Sequence, residues 1–513
     1  VGGELSLTRF DFARRNAGFG LISTLVTVVL GFVSRSVFIA ELGAAYLGVN
    51  TLMLNVVGVL SFAELGIGSA MSYSLYKPVA EGDAPLVRAL SDFYKKAYRV
   101  IALIVTLVGL ALLPFIPNLA NEAGDLGDLR VYYTLYLLAN VMSYFAVYKT
   151  GLVTAEQRTY LVTNIRTVAS VVLQVAQIAC LLIWGDFMIY LVVMVLARAA
   201  EQLFLNVYLS RRYRTYLQPP DQPLSKEQLE PIKRNVKALI WHKLGDVAVN
   251  QTDSIIIAAF VNVTVLGYIA NYNLIINTAS MLLLVIMNAA IGSFGNAIAT
   301  AAPKDVYRNY KTYRFAAFWI YGLATAGMYA LITPLITLWL GPDMVIQNEV
   351  TLLILLNFYL LGQRATINTV KSAAGIWDAD KYLPLIQAIV NLGLSIILVQ
   401  TIGLVGVFIG TLTQGLLATI IRPLIVYPRV FQAGAGDYFK DGAKYLVVLL
   451  IAGGSSYLAV DAWLGSVTLP SLLLAIAAVG VWINLVFLIA FARRPEFAEL
   501  KKKLLRRGPK RRS

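Results

Sequence analysis

Apolar runs long enough to cross a bilayer recur along the whole 513-residue chain, and this recurrence leaves few folds open. A helix rising 1.5 Å per residue needs about 20 residues to cross a hydrocarbon core of about 30 Å. On that measure the sequence predicts about fourteen spans, at approximately 17–40, 45–76, 100–116, 131–153, 168–184, 188–209, 238–261, 265–296, 315–338, 350–370, 383–400, 404–426, 445–460 and 472–491. Backbone N–H and C=O groups in lipid must bond within their own segment. The expected fold is therefore all-α and polytopic. A hydrophobic content of 58% with only 14% charged residues agrees, being far from the balance of a water-soluble domain.

The net charge of +15 would point to nucleic acid in a soluble protein, but its placement points elsewhere. Outside the spans, every Lys and Arg except Arg130 falls on one set of termini and connections. By the positive-inside rule that set is cytoplasmic and so are both termini, which predicts a multi-pass membrane protein. The tail KKKLLRRGPKRRS should rest on anionic lipid, and no nucleic-acid partner is expected. The opposite connections are short and acidic, as in Glu122, Asp125 and Asp128, and too short to fold into a catalytic domain. One cysteine, Cys180, and one histidine, His242, leave no material for a disulfide or a Cys/His metal cluster. No G-x-x-x-x-G-K-[ST] loop is present, so energy must come from a partner or an ion gradient. No cofactor or metal is expected.

One predicted span is conspicuously polar. The stretch 238–261, ALIWHKLGDVAVNQTDSIIIAAFV, carries Lys243, Asp246, Asn250 and Asp253 at i, i+3, i+7 and i+10, which places them on one helix face. Charge at membrane depth is costly unless it faces a bundle interior or a wet cavity, so this helix should line a polar pathway. Thr24, Thr27, Gly31 and Arg35 form a second stripe on span one; a snorkelling role for Arg35 is the alternative. Glu64 lies deep in span two among Gly66, Gly68, Ser69 and Ala70, small residues that permit close contact or a bend. Arg198 and Glu201 are spaced to neutralise one another, Arg364 lies too deep in span ten for easy snorkelling, and Arg422 reads as an interfacial anchor. Leu86, Leu90 and Phe93 beside Lys95, Lys96 and Arg99 read as an amphipathic surface helix.

The chain also repeats. IAELGAAYLGVNTLM from Ile39 and IAAFVNVTVLGYIANYNLI from Ile257 share a layout of helix end, short turn, Leu-Gly and a helix with Asn. Arg35 and Asp253 stand at near-equivalent distances before Gly48 and Gly267, with opposite charge. Pro219 and Pro220 mark the boundary between halves. The expected organisation is a tail 1–16, a six-helix lobe 17–209, a linker 210–237, a second six-helix lobe 238–426, an additional helix pair 427–491 and a basic tail 492–513. Two lobes entering from the same side would be parallel repeats with a site between them.

The stretches GFVSRSVFIAELGAAYLGVNTLMLNVVGVLSFAELGIGSAMSYSLYKP and HKLGDVAVNQTDSIIIAAFVNVTVLGYIANYNLIINT, followed by SFGNAIA, resemble the polysaccharide-transport branch of the multidrug/oligosaccharidyl-lipid/polysaccharide exporter superfamily, the Wzx-type flippases. The additional helix pair also resembles the fourteen-span lipid II flippases. The resemblance implies a MATE-like fold of two lobes alternating between inward-open and outward-open states. It implies as substrate an oligosaccharide on a polyprenyl pyrophosphate, taken from membrane lipid, with glycosyltransferases and a polymerase as partners. Arg35, Lys243 and Arg364 suit a pyrophosphate, and Asn250, Asn271 and Tyr272 suit sugar hydroxyls. Glu64, Asp246 and Asp253 would take up H+ or Na+ or pair with those cations. A multidrug antiporter of the same superfamily is the second expectation, though its cavity should be acidic and aromatic rather than mixed in charge. A membrane enzyme acting on lipid-linked sugars is the third, opposed by the short outer connections.

Overall fold

The computed structural model describes residues 9–64, 66–120 and 126–505, with side chains omitted for 9–17, Leu21, Asn235, 237–250 and 503–505. Among the described residues there are helices and turns and no strand. The helices are α1 (Arg9–Leu60), α2 (Ile67–Glu81), α3 (Ala84–Leu112), α4 (Leu129–Ala155), α5 (Tyr160–Trp184), α6 (Phe187–Arg212), α7 (Lys226–Phe260), α8 (Val263–Asn288), α9 (Ile291–Thr300), α10 (Pro303–Leu340), α11 (Asn348–Ala373), α12 (Leu383–Ile402), α13 (Leu404–Val426), α14 (Gly436–Trp463), α15 (Leu469–Phe491) and α16 (Pro495–Leu505).

Eleven helical segments among the described residues are long and apolar enough to cross a membrane. The expected fourteen are not all separate on that criterion. Spans one and two share α1, which turns at Gly43, where φ is 79°. Spans four and seven fall on helices α4 and α7, which are not among those eleven. Other sequence boundaries also move. The stretch read as a surface helix, 86–99, is the first half of α3, capped by Asp83, whose side chain accepts from Leu86 N at 3.0 Å. Span two is broken by a 3-10 turn at Ser61–Glu64 and by Gly66, which adopts φ 76° and starts α2. Span eight is broken between α8 and α9.

The acids of the short connections earn their place as caps. Asp128 accepts from Arg130 N at 2.9 Å and Asp186 from Ile189 N at 2.8 Å, each satisfying an N–H that the first helical turn leaves open. At the other polarity, Ser225 and Gln228 form a capping box that starts α7 well before the apolar run at Ala238.

The chain divides into two compact units, Val1–Gly267 and Tyr268–Ser513. The expected linker 210–237 thus falls inside the first unit, because α7 packs on α1 and α2. In the first unit α1 also packs on α5, while α4 lies against α2, α3 and α6. In the second unit α10 is the hub, touching α11, α14, α15 and α16. There α12 and α13 form a close hairpin, in which Gly406 and Gly410 admit the backbone of Leu398 and the side chain of Ser395. The additional helix pair is α14 and α15. It is held to α10 by Arg314, which stacks 3.6 Å over the Tyr438 ring and donates to Tyr438 O at 2.9 Å. Trp319 Nε1 of the same helix donates to Asn484 of α15 at 2.9 Å. The start of the basic tail is not a free segment: α16 docks through Phe497 on Trp319 and through Glu499, which accepts from Thr312 at 2.9 Å.

Candidate substrate and ion sites

Arg35 leaves α1 half-buried and lies against Tyr190 of α6, one turn from Phe38. Phe38 in turn packs on Tyr190 and Phe187 with ring centroids 5.2 and 6.0 Å apart. Gln177 of α5 reaches Tyr190 O at 3.4 Å, and Tyr136 donates to Asn50 nearby on α1. The arginine is thus set by α1, α5 and α6 together rather than by its own helix alone.

Glu64 sits on the 3-10 turn that interrupts span two, half-buried and facing Tyr98 and Tyr144, whose rings stack at 6.4 Å. Irregular backbone at membrane depth persists only where protein or a wet cavity covers it. A carboxylate at such a break is well placed to hold a proton or a cation.

On α7 the side chains of Lys243, Asp246 and Asn250 lie outside the described residues. Asp253 is half-buried, and the neighbouring Gln251 packs its amide on Gly58. The contact therefore falls on the second half of α1.

In the second unit Arg364 is buried between α11 and α13, with Nη1 3.5 Å from the Gly415 carbonyl. Gly415 is required there, since a Cβ would lie 3.0 Å from Asn357 Oδ1 and 3.3 Å from Arg364 Nη1. Asn271 and Tyr272 are fully enclosed on α8, and the Tyr272 hydroxyl accepts from Ile346 N at 3.4 Å.

Two charged groups were not anticipated. Lys371 Nζ donates to both carboxylate oxygens of the buried Asp380, at 2.5 and 2.6 Å. Arg422 Nε donates to the same carboxylate at 3.1 Å and Nη1 to Asn368 at 2.9 Å. Arg422 is therefore part of a buried ion group and not an interfacial anchor. The signal was available: a cation at the end of span ten and an acid in the connection that follows it. Lys149, buried on α4, donates to Ser210 at 2.6 Å and to Asn206, with no carboxylate among its described partners. Two clefts of the second unit, one between α8, α10 and α15 and one between α10, α11 and α14, have nearly wholly apolar linings and include none of the candidate residues.

A fold that is all-helical among the described residues, with charged side chains within its long apolar helices and two interrupted spans, is the build of a multi-pass membrane protein. Solved structures share it. A lipid II flippase, MurJ, in its inward closed conformation superposes with a TM-score of 0.65 at 13% identity, over 95% of this chain and 99% of its own. An inward-facing multidrug resistance MATE family transporter of the MOP superfamily gives 0.60 at 16%, over 79% and 94%. A MOP superfamily transporter from Pyrococcus furiosus gives 0.52 at 15%, over 82% and 95%. At such identities the likeness is one of fold. No curated protein sequence matches the chain. A family model described as polysaccharide biosynthesis protein matches residues 13–293, and the chain belongs to that family.

Proposed function

We propose that the chain is a flippase carrying a polyprenyl-pyrophosphate-linked oligosaccharide from the inner to the outer leaflet of a bacterial cytoplasmic membrane by alternating access. Both termini would be cytoplasmic, and the glycan would come from glycosyltransferases and pass to a polymerase. Arg35, Lys243 and Arg364 would meet the pyrophosphate and Asn250 the sugar hydroxyls, while Asn271 and Tyr272, with no exposed surface here, would reach a sugar only in a state that opens the packing around α8. Glu64, Asp246 and Asp253 would couple transport to H+ or Na+.

The observation that carries this reading is Arg364. A guanidinium offers five donors, yet among the described residues this one forms no ion pair and has one backbone acceptor, at 3.5 Å. An uncompensated buried cation costs several kcal/mol, on the order of the 3–5 kcal/mol lost when one partner of a buried pair is removed. A binding site for a visiting anion accounts for that expense, and the family match supplies the kind of anion. A drug antiporter would instead keep acids free of compensating cations, whereas Asp380 and Glu201 are each flanked by two.

The test is export of surface polysaccharide in cells carrying Arg35→Ala or Arg364→Ala, with membrane insertion measured alongside. The expected result is loss of export by inserted protein. Wild-type export in both variants overturns the pyrophosphate assignment.

A further inference from the structure

Arg166 of α5 and Arg198 of α6 flank one carboxylate. Arg198 Nη1 lies 2.9 Å from Glu201 Oε2, and Arg166 Nε lies 3.9 Å from Glu201 Oε1. Glu201 is nearly enclosed, with 5% of its side chain exposed, while the arginines are 49% and 53% exposed. All three belong to the first unit.

Half-exposed arginines on membrane helices face either lipid or water, and the helix faces decide which. On α5 the exposed apolar residues Val168, Val172, Val175 and Leu182 form one stripe, and on α6 Leu196, Leu203 and Val207 form another. Arg166 is two residues from Val168 and Arg198 two from Leu196, so each points about 160° away from its apolar stripe on a helix of 3.6 residues per turn. The half-exposed guanidiniums therefore turn away from the apolar stripes, where a charge facing lipid would be costly. Most of their donors are uncommitted: among the described residues Arg166 donates no hydrogen bond, and only Nη1 of Arg198 is engaged, by Glu201. The group carries a net positive charge, and the planar fork of each guanidinium fits two oxygens of a phosphate.

We propose that Arg166 and Arg198 bind the diphosphate group of a lipid-linked substrate, with Glu201 holding the two guanidiniums in place while the site is empty. The identity of the anion rests on the flippase reading; the existence of the site does not. Glu201 is then a positioning residue and a competitor at once. Its removal should free both arginines for the ligand, an effect opposite in sign to that of removing either cation.

The full-length protein in phosphatidylcholine nanodiscs is titrated with inorganic pyrophosphate and with farnesyl pyrophosphate. Wild type should bind both, and R166Q/R198Q should bind at least about tenfold more weakly, the loss of two charge-assisted contacts. E201Q should bind more tightly than wild type. Because the double variant leaves Glu201 buried without partners, R166Q/R198Q/E201Q provides a version free of that strain and should also lose binding. Equal affinity in wild type and the triple variant overturns the site, as does E201Q binding no better than wild type. Phosphatidylglycerol in the disc that abolishes pyrophosphate binding would assign the arginines to lipid headgroups and overturn the diphosphate assignment. Arginine-dependent pyrophosphate binding in a protein whose deletion leaves glycan export intact keeps the site and removes the flippase. Export that needs the protein but is unchanged in R166Q/R198Q removes the site alone.

Discussion

Gly48 and Gly267 meet backbone to backbone. A Cβ on Gly48 would overlap the carbonyl oxygen of Val263 and lie 3.2 Å from Gly267 N, and one on Gly267 would overlap the carbonyl oxygen of Ala44 and lie 3.1 Å from Gly48 N. The contact is reciprocal, since each glycine faces the carbonyl one helical turn before the other. Segments 44–48 and 263–267 are the ones that the internal repeat aligns, Leu47-Gly48 with Leu266-Gly267. Reciprocity of this kind is what a local two-fold relation between repeated segments produces.

Any side chain at either glycine must push one helix off the other. Gly48→Ala and Gly267→Ala should each cost about 1–3 kcal/mol, the usual price of forcing atoms into a packed contact. The double variant should cost less than the sum, because one separation of the helices accommodates both methyls. Melting of the purified variants, followed by size-exclusion chromatography, reads both quantities; strict additivity would show that the two glycines do not share a contact.

Asp380 pairs with both Lys371 and Arg422, with 1% of its side chain exposed. Asp380→Asn leaves two buried cations facing one another and should destabilise the protein by about 3–5 kcal/mol. Lys371→Met in the same background should restore much of the loss, since Arg422 then keeps Asn368 and has no like charge beside it. A melt in which the second substitution brings no recovery would contradict the ion group.

Arg314 should be more sensitive to Lys than surface arginines are. It uses the flat face of the guanidinium on Tyr438 and an edge on the Tyr438 carbonyl, and an ammonium cannot do both. Arg314→Lys should lower stability by about 0.5–2 kcal/mol through the lost stacking, and Arg314→Ala further. Limited proteolysis between α13 and α14 should accelerate in the same order, because α14 and α15 are held to α10 from this side.

The spans were legible because length and apolarity are properties of a single stretch. So were the Leu-Gly repeat and the polarity of α7. What escaped depends on partners far along the chain. Arg314 reads as a loop cation before span nine, and nothing in its own stretch announces Tyr438. Arg422 looks like an anchor until Asp380 folds back beneath it across the turn at Gly375, where φ is 66°. Breaks within spans two and eight were hidden for another reason: Gly66 and Gly68 are as common in tight helix packing as in helix interruption, and sequence alone does not separate the two.

Asp253 and Glu64 divide the coupling hypothesis between two places in the first unit. Asp253 lies on the continuous helix α7, while Glu64 occupies the turn between α1 and α2 beside Tyr98 and Tyr144. If either carries the coupling ion, its neutral amide abolishes the response to an ion gradient while leaving passive exchange of substrate. Reconstituted protein with an imposed H+ or Na+ gradient should therefore show gradient-driven transport in wild type and gradient-independent transport in Asp253→Asn or Glu64→Gln. A structural carboxylate behaves differently: its amide lowers thermal stability and total transport together, in the presence and absence of a gradient. Both variants retaining the full gradient response would remove these two carboxylates from coupling and leave Asp246 as the remaining candidate.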